Sequence, residues 1–337
     1  MKNIVDTHPY KSFEEQLIFL KNEKGLIIDN PNAALEELKT FSYYTLINGY
    51  KDIFLDKTIT KKETFIKGTT FSMLYQVHWA DLALGNIMFK YALTIEKKLK
   101  TQIAYLIAQK YSTLETNFID RKNYSSAKEV NGFYSELKRG FAKAKRTDVS
   151  CLHYQNTHAN IPPWILAKGI SFGNILNWYK VLKPQDKKEI IEQTIGLCQS
   201  LNNEENLEFF KISIDQVYQY RNLTAHGNRT VALKLKSSHK YKYLKEKGAA
   251  TYFLINNEYR HKNDLFSLMM TILLLTNDIY LANNFILDLE ILFFKYKDEK
   301  FLDKDIYDVF KLPKDFIERL ENYRNNKFDP SRTHFIN

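Results

Sequence analysis

From Thr69 to Tyr111 the chain runs without a proline and repeats apolar residues at intervals of three and four. Phe71, Leu74, Tyr75, His78, Leu82, Phe89, Leu93, Glu96, Leu99 and Ile103 keep that spacing, which predicts one long helix with any kink at Gly85. Its stripe of Phe71, Leu74, Leu82, Phe89 and Leu93 is expected to be core. The scarcity of turn formers points the same way. Only 11 glycines and 7 prolines occur in 337 residues, too few for sandwiches, barrels or doubly wound sheets. With 44% hydrophobic residues the chain can bury a substantial core, so the expected fold is all-α, a multi-helix bundle.

The remaining boundaries follow from capping chemistry. Ser12 and Glu15 form a capping box that opens a helix to about Lys24, stopped by Gly25. Asn30-Pro31 starts a second helix, with Leu35, Leu38, Phe41 and Thr45 on one face and Gly49 at its close. Pro162-Pro163-Trp164 begins a helical stretch to Lys180, interrupted at Ser171-Phe172-Gly173, and Lys183-Pro184 begins the next. Further helices are expected from about Asn206 to Val231 and near 265–295, with a lysine-rich loop or small hairpin at 232–248. No internal repeat or low-complexity linker divides the chain. It reads as an N-terminal helical segment (1–60), a helical core (61–295) and a C-terminal helical tail (296–337), packed together as one unit.

Lysine plus arginine number 49 against 39 acidic residues, a formal charge of +10 that favours a polyanionic partner, nucleic acid before membrane surface. The first sixteen residues hold no apolar signal core, and Leu265–Leu275 is too short to span a bilayer. Two cysteines without a framework suit a reducing compartment, so a cytoplasmic protein with no membrane partner is expected.

The chemistry concentrates in Tyr218-Gln219-Tyr220-Arg221-Asn222-Leu223-Thr224-Ala225-His226-Gly227-Asn228-Arg229. If the helix continues through it, Asn222, His226 and Arg229 stack on one face, with Arg221, Ala225 and Asn228 on the adjacent stripe. Arginine can clamp a phosphodiester, histidine can exchange a proton near neutrality, and asparagine can orient a hydroxyl or the imidazole. On RNA the neighbouring 2′-hydroxyl supplies the nucleophile. The competing reading makes Arg221 and Asn222 partners of an ion pair or a helix end, with His226 packed at the rim. An arginine and a histidine at this separation also arise by chance; the denser Arg-Asn-x-x-Ala-His-x-x-Arg pattern is far less common.

Other groups offer themselves for the same work. Cys151, His153 and His158 lack the second close pair of a zinc site and lie in a segment expected to be irregular. Glu96 is four residues from Lys100, so an ion pair on the helix surface is the plain expectation, ahead of a role behind the motif. Lys138, Arg139, Lys143, Lys145 and Arg146, with Lys240 and Lys242, are candidate RNA-backbone contacts, and Phe141, Tyr241 and Tyr243 candidate stacking partners; a merely solvated charged face is the alternative. Nucleotide-cradling glycine loops are absent from the sequence.

The chain resembles the Abi-like (AbiD/AbiF) abortive-infection proteins of bacteria, whose motif places them among HEPN ribonucleases. The resemblance runs over most of residues 9 to 290. It is carried by Tyr10-Lys11-Ser12-Phe13-Glu14-Glu15-Gln16, by Tyr43-Tyr44-Thr45-Leu46-Ile47-Asn48-Gly49-Tyr50, and by Phe65-Ile66-Lys67-Gly68-Thr69-Thr70-Phe71. Asp81, Ile95-Glu96, Pro162-Pro163-Trp164, Ser171-Phe172-Gly173 and the Arg221-Asn222…His226 set also belong to it. Two departures stand out: Lys168 where relatives often carry an acid, and Gly227 where they often carry a second histidine.

The resemblance implies a metal-independent, cofactor-free endoribonuclease toxin whose site is shared across a homodimer or higher homo-oligomer. It makes Arg221 the phosphate ligand, His226 the general acid/base, Asn222 a positioning residue and Arg229 a further phosphate contact. It also implies a structured small RNA as a partner and antitoxin. The alternative function is a non-catalytic RNA-binding or dimerisation module on the same scaffold.

Overall fold

A computed structural model describes residues 9–59 and 62–329. The helices along the chain are α1 (Phe13–Lys24), α2 (Pro31–Tyr43), α3 (Gly49–Phe54), α4 (Phe71–Lys110), α5 (Glu115–Phe118), α6 (Asn131–Thr147), α7 (Val149–His158) and α8 (Pro163–Gly169). They continue with α9 (Phe172–Val181), α10 (Pro184–Ile195), α11 (Asn203–Ala225), α12 (Tyr241–Glu246), α13 (Leu265–Leu275), α14 (Ile279–Lys295), α15 (Ile306–Phe310) and α16 (Phe316–Lys327). The single sheet among the described residues is a hairpin of β1 (Leu254–Ile255) and β2 (Glu258–Tyr259), register Leu254 to Tyr259. The fold is all-α, as the sequence predicts. The N-terminal stretch read for a signal lies partly outside the described residues, at positions 1–8. Among the described residues no helix is long and apolar enough to cross a membrane.

The chain groups into two compact units whose membership is not sequential. One holds the chain up to Asn86 with Arg229–Leu233 and Asp288–Lys314; the other holds Ile87–Asn228, Lys234–Leu287 and the chain from Asp315.

In the first unit the predicted caps form. The Ser12 hydroxyl accepts from the Glu15 N–H, Glu15 answers to the Ser12 N–H at 2.7 Å, and Gly25 ends α1 in the left-handed region. Asn30 caps α2 through the Ala33 N–H. Gly49 does not close α2. The break falls at Ser42 (φ 67°), after which a π-helical stretch, Tyr44–Asn48, runs directly into α3. Helical pairing in α4 is continuous through Gly85.

The buried stripe of α4 differs from the expected one. Leu74, Val77, Leu84, Met88, Ala92, Ile95, Leu99 and Ile103 are buried, whereas Leu82 is 40% exposed and Phe89 and Leu93 are half-buried. The cause is polar: His78, Asp81 and Glu96 are themselves buried, which rotates the inward face away from Leu82.

In the second unit, α9 and α6 pack through Trp178, whose ring lies 4.9 Å from that of Phe141 and whose Nε1 donates to the Tyr124 hydroxyl. Residues 149–158, read as irregular, are helical because Asp148 caps α7 through the Cys151 N–H. The apolar stretch near 265–295 is two helices, parted at Thr276-Asn277-Asp278. Three half-buried lysine side chains serve helix C-termini, where carbonyls lack intrahelical partners. Lys98 donates to Thr194 and Leu275 carbonyls, Lys247 to Ile195 and Gly196, and Lys327 to Leu273, Leu274 and Thr276. Burial pushes all three amines down, Lys98 to about 8. Because the folded pKa lies below the unfolded one, stability is lowest where the amine is charged in both states and is regained as pH rises through 8 toward 10. Urea midpoints measured across that window should climb in the wild type, and the climb should shrink in Lys98→Met.

Candidate functional site

The motif occupies the last turn of α11. This helix opens with a second capping box, Asn202 with Glu205, and buries Phe209, Phe210, Ile214, Val217 and Tyr220. Its polar flank is fixed from inside. Gln216 accepts from Thr271 Oγ1 at 2.7 Å and donates to the Ser237 carbonyl at 3.0 Å, and Thr271 also meets His239 Nε2 at 3.1 Å. Burial drives His239 down to about 3, so it stays neutral in this network. The signature Ser171-Phe172-Gly173 acts one turn earlier on α11. Ser171 caps α9, the Phe172 ring packs edge-on against Tyr218 at 5.6 Å, and a Cβ at Gly173 would stand 3.1 Å from the Tyr218 hydroxyl.

α11 stops earlier than predicted, at Ala225 rather than near Val231. His226 is the cap residue and Gly227 adopts φ +70°. The Gly227 N–H returns to the Thr224 carbonyl at 2.9 Å and the Asn228 N–H to the Leu223 carbonyl at 3.1 Å, which together make a Schellman ending. Asn228 Nδ2 binds the same Leu223 carbonyl. Asn222 and His226 keep their four-residue spacing on the last turn, but Arg229 and Asn228 lie beyond the reversal and leave the helical faces assigned to them. The signal that marks this stop, a glycine directly after the motif histidine, was present in the sequence.

Arg221 is the hub. Its Nε donates to Glu96 Oε2 at 3.1 Å and an Nη1 hydrogen to Asn222 Oδ1 at 3.2 Å. Glu96, 5% exposed, takes Lys100 on its other oxygen at 3.0 Å. The expected Glu96–Lys100 pair is therefore real, and the same carboxylate also supports the motif. Three of the five guanidinium N–H groups are not used by these two bonds. The side chain keeps 26% exposure. His226 is exposed and makes no side-chain hydrogen bond among the described residues. The guanidinium, amide and imidazole are thus neither buried nor consumed.

The first unit holds the chain immediately beyond the motif. Asp81, 3% exposed, accepts from the N–H groups of Thr230 and Val231 at 3.0 and 2.6 Å and from the Tyr50 hydroxyl at 3.0 Å. Tyr50 also meets His78 Nδ1 at 3.2 Å. Burial raises the Asp81 carboxyl to about 6 even though these donors and the nearby Arg229 pull it down. Arg229 is exposed and, with Lys57, Lys304 and Lys311, lines a cavity of about 410 Å³.

The other candidate residues divide. Lys138, Arg139, Lys143 and Arg146 stand on the exposed face of α6, Arg139 beside Glu136, while Lys145 is tied to Glu115 at 2.6 Å. Lys240 and Lys242 pair with Glu208 and Glu205 of α11 at 2.8 and 2.5 Å. Phe141 and Tyr243 are buried in the core and offer no stacking face; Tyr241 is 39% exposed. The 232–248 segment is a strapped loop followed by α12, not a hairpin. Its Leu235 N–H binds the Asn263 carbonyl and its Lys236 N–H binds Gln219 Oε1. Cys151 is buried, and Lys168 donates to the Ser150 hydroxyl. Among the described residues no three His, Cys, Asp or Glu side chains cluster as metal ligands.

A Cβ at Gly227 would meet nothing within 4 Å, so only its backbone angle penalises a side chain there. Gly227→Ala is expected to cost about 1–2 kcal/mol in denaturant unfolding, the left-handed penalty of an L-residue.

Compared with known proteins, residues 36–231 match the model of a family described as Abi-like protein. No curated protein and no solved structure matches the chain. The matched span takes in most of α2, the whole of α4 with Asp81 and Glu96, and the Arg221-Asn222…His226 turn, more than half of the sequence. On that extent, the chain belongs to the Abi-like protein family.

Proposed function

We propose that this protein is a metal-independent endoribonuclease toxin of a cytoplasmic abortive-infection system, cutting RNA by attack of a 2′-hydroxyl on the adjacent phosphorus. The observation that supports it most is the state of Arg221. One N–H is committed to Glu96 and one to Asn222, which fixes the plane of the guanidinium while its remaining donors stay free for phosphate oxygens. That is a preorganised anion ligand, whose orientation is settled before the charge arrives.

In this reading His226 supplies the proton chemistry. The 2′-oxygen bonds to phosphorus as its proton passes to a base; the bond to the 5′-oxygen breaks, and that oxygen takes a proton. The products are a cyclic phosphate and a free 5′-hydroxyl. One imidazole cannot be base and acid at the same instant, so two copies of His226, one from each protomer of a homodimer, divide the roles. Arg221 bears the charge on the non-bridging oxygens, Asn222 holds Arg221 in plane, and Arg229 contacts a neighbouring phosphate. Lys138, Lys143 and Arg146 on α6 are the RNA-backbone contacts, and a structured small RNA is the second partner.

Cleavage of a structured RNA in excess chelator should be seen with the wild type and should fall by at least about a hundredfold in Arg221→Ala and His226→Ala. If wild type and variants cut alike, or none cuts, the enzyme reading fails; tight binding without cutting would leave an RNA-binding module. RNA affinity should drop steeply between low and physiological salt, with a shallower slope when Lys143 and Arg146 are changed to alanine, as titration at several ionic strengths would register.

A further inference from the structure

The cavity of about 410 Å³ beside Arg229 is more than a place for one passing phosphate. Its lining comes from three stretches distant in sequence, 52–66, 229–232 and 304–311, all of them within the first unit. The volume falls in the range of about 300–1,000 Å³ that small-molecule pockets occupy. Its walls are pinned. The Ile66 N–H binds the Phe54 carbonyl at 2.8 Å, and the Val231 N–H binds Asp81 at 2.6 Å.

Four cations and three acids line this space, but two of the acids are spent. Asp56 Oδ1 accepts from the Thr58 N–H at 2.9 Å and from the Thr58 hydroxyl at 2.6 Å. Asp308 Oδ2 accepts from Lys314 at 3.1 Å and from the Asp305 N–H at 3.2 Å. Lys304 is spent too, on the Ile53 carbonyl at 2.6 Å. That leaves Lys57, Arg229 and Lys311, all exposed and without a side-chain hydrogen bond or ion pair among the described residues, against Asp52 alone. Arg229 acts on buried Asp81 only through space. A phosphate monoester carries three terminal oxygens and nearly two charges at neutral pH, which suits three cations on three segments. The rest of the wall is aliphatic, with Leu55, Val231 and Val309, so the body that carries the phosphate is compact and apolar.

The backbone agrees. Lys311 caps α15 at φ 56° and Ala232 stands at φ 58°, both in the left-handed region that favours glycine. Non-glycine residues persist there only where their surroundings fix them, and such positions gather at ligand sites.

We propose that this cavity binds a phosphate monoester, its phosphate held by Lys57, Arg229 and Lys311 and its apolar body against Leu55, Val231 and Val309. This goes beyond the ribonuclease reading, which gives Arg229 only a neighbouring RNA phosphate, and it is tested without cleavage.

Phenyl phosphate is the probe. In calorimetric titrations of the full chain it should saturate one site, at least about tenfold tighter than inorganic phosphate or benzoate. Lys57→Ala and Lys311→Gly should each weaken it by about tenfold. Glycine is favoured at φ 56°, so Lys311→Gly removes the charge and keeps the fold, with a thermal midpoint that stays level or rises. Arg221 also offers donors to a tetrahedral oxyanion, so Arg221→Ala is the control and should leave the affinity unchanged. A short RNA that competes only when 5′-phosphorylated places the monoester on a chain end; competition by neither form makes it a free small molecule. Competition by both forms alike, no saturable binding, phenyl phosphate no tighter than inorganic phosphate, affinity unmoved by both lysine changes, or affinity lost in Arg221→Ala each overturns the site.

Discussion

A carboxylate removed from water has to be met by donors, and two such groups on α4 hold the segment that carries the motif. Glu96 takes one N–H of Arg221, and Asp81 takes two backbone N–H groups just after Arg229. Burying a carboxyl costs several kcal/mol unless it is compensated, so neither contact is incidental: without it the acid would be stranded. Arg221 is thus fastened within one unit, and Thr230 and Val231 within the other. Between the fastenings lies His226, at the end of α11, with its imidazole free of protein partners among the described residues.

The helical scaffold was legible in the sequence because caps are local. Ser12 with Glu15, Asn30 before Pro31, Ser171 before Phe172 and Pro184 after Lys183 each act within one turn, and each starts a helix as its chemistry requires. Apolar spacing was a weaker guide. It drew the core stripe of α4 through Leu82, because a rule that counts apolar residues has no way to place Asp81 and Glu96 inside; their burial depends on partners 149 and 125 residues away. The same limit put Phe141 and Tyr243 at a basic surface, when packing against Trp178 and Phe209 claims them.

The candidate site was legible in type and less so in arrangement. Arginine, asparagine and histidine were recognisable from their spacing, yet their geometry was drawn on a helix that was made too long. Gly227 is the residue that decides it: a positive-φ glycine behind His226 turns the chain back, and no helical wheel applies to Arg229. The lysine-rich stretch 232–248 opens as the expected loop, and what composition does not show is that Gln219 and Asn263 bind its backbone while Glu208 and Glu205 pair with Lys240 and Lys242.

The half-spent guanidinium of Arg221 carries one more consequence. With Nε committed to Glu96 and one Nη1 hydrogen to Asn222, the guanidinium is held in one plane, and its remaining donors select by the shape of what they meet and not by base sequence. A small tetrahedral oxyanion suits such donors. If Arg221 is the phosphate ligand of the proposed reaction, sulfate or inorganic phosphate in a buffer would compete for this position, and the counter-ion the protein is kept in would set how readily the arginine accepts a ligand.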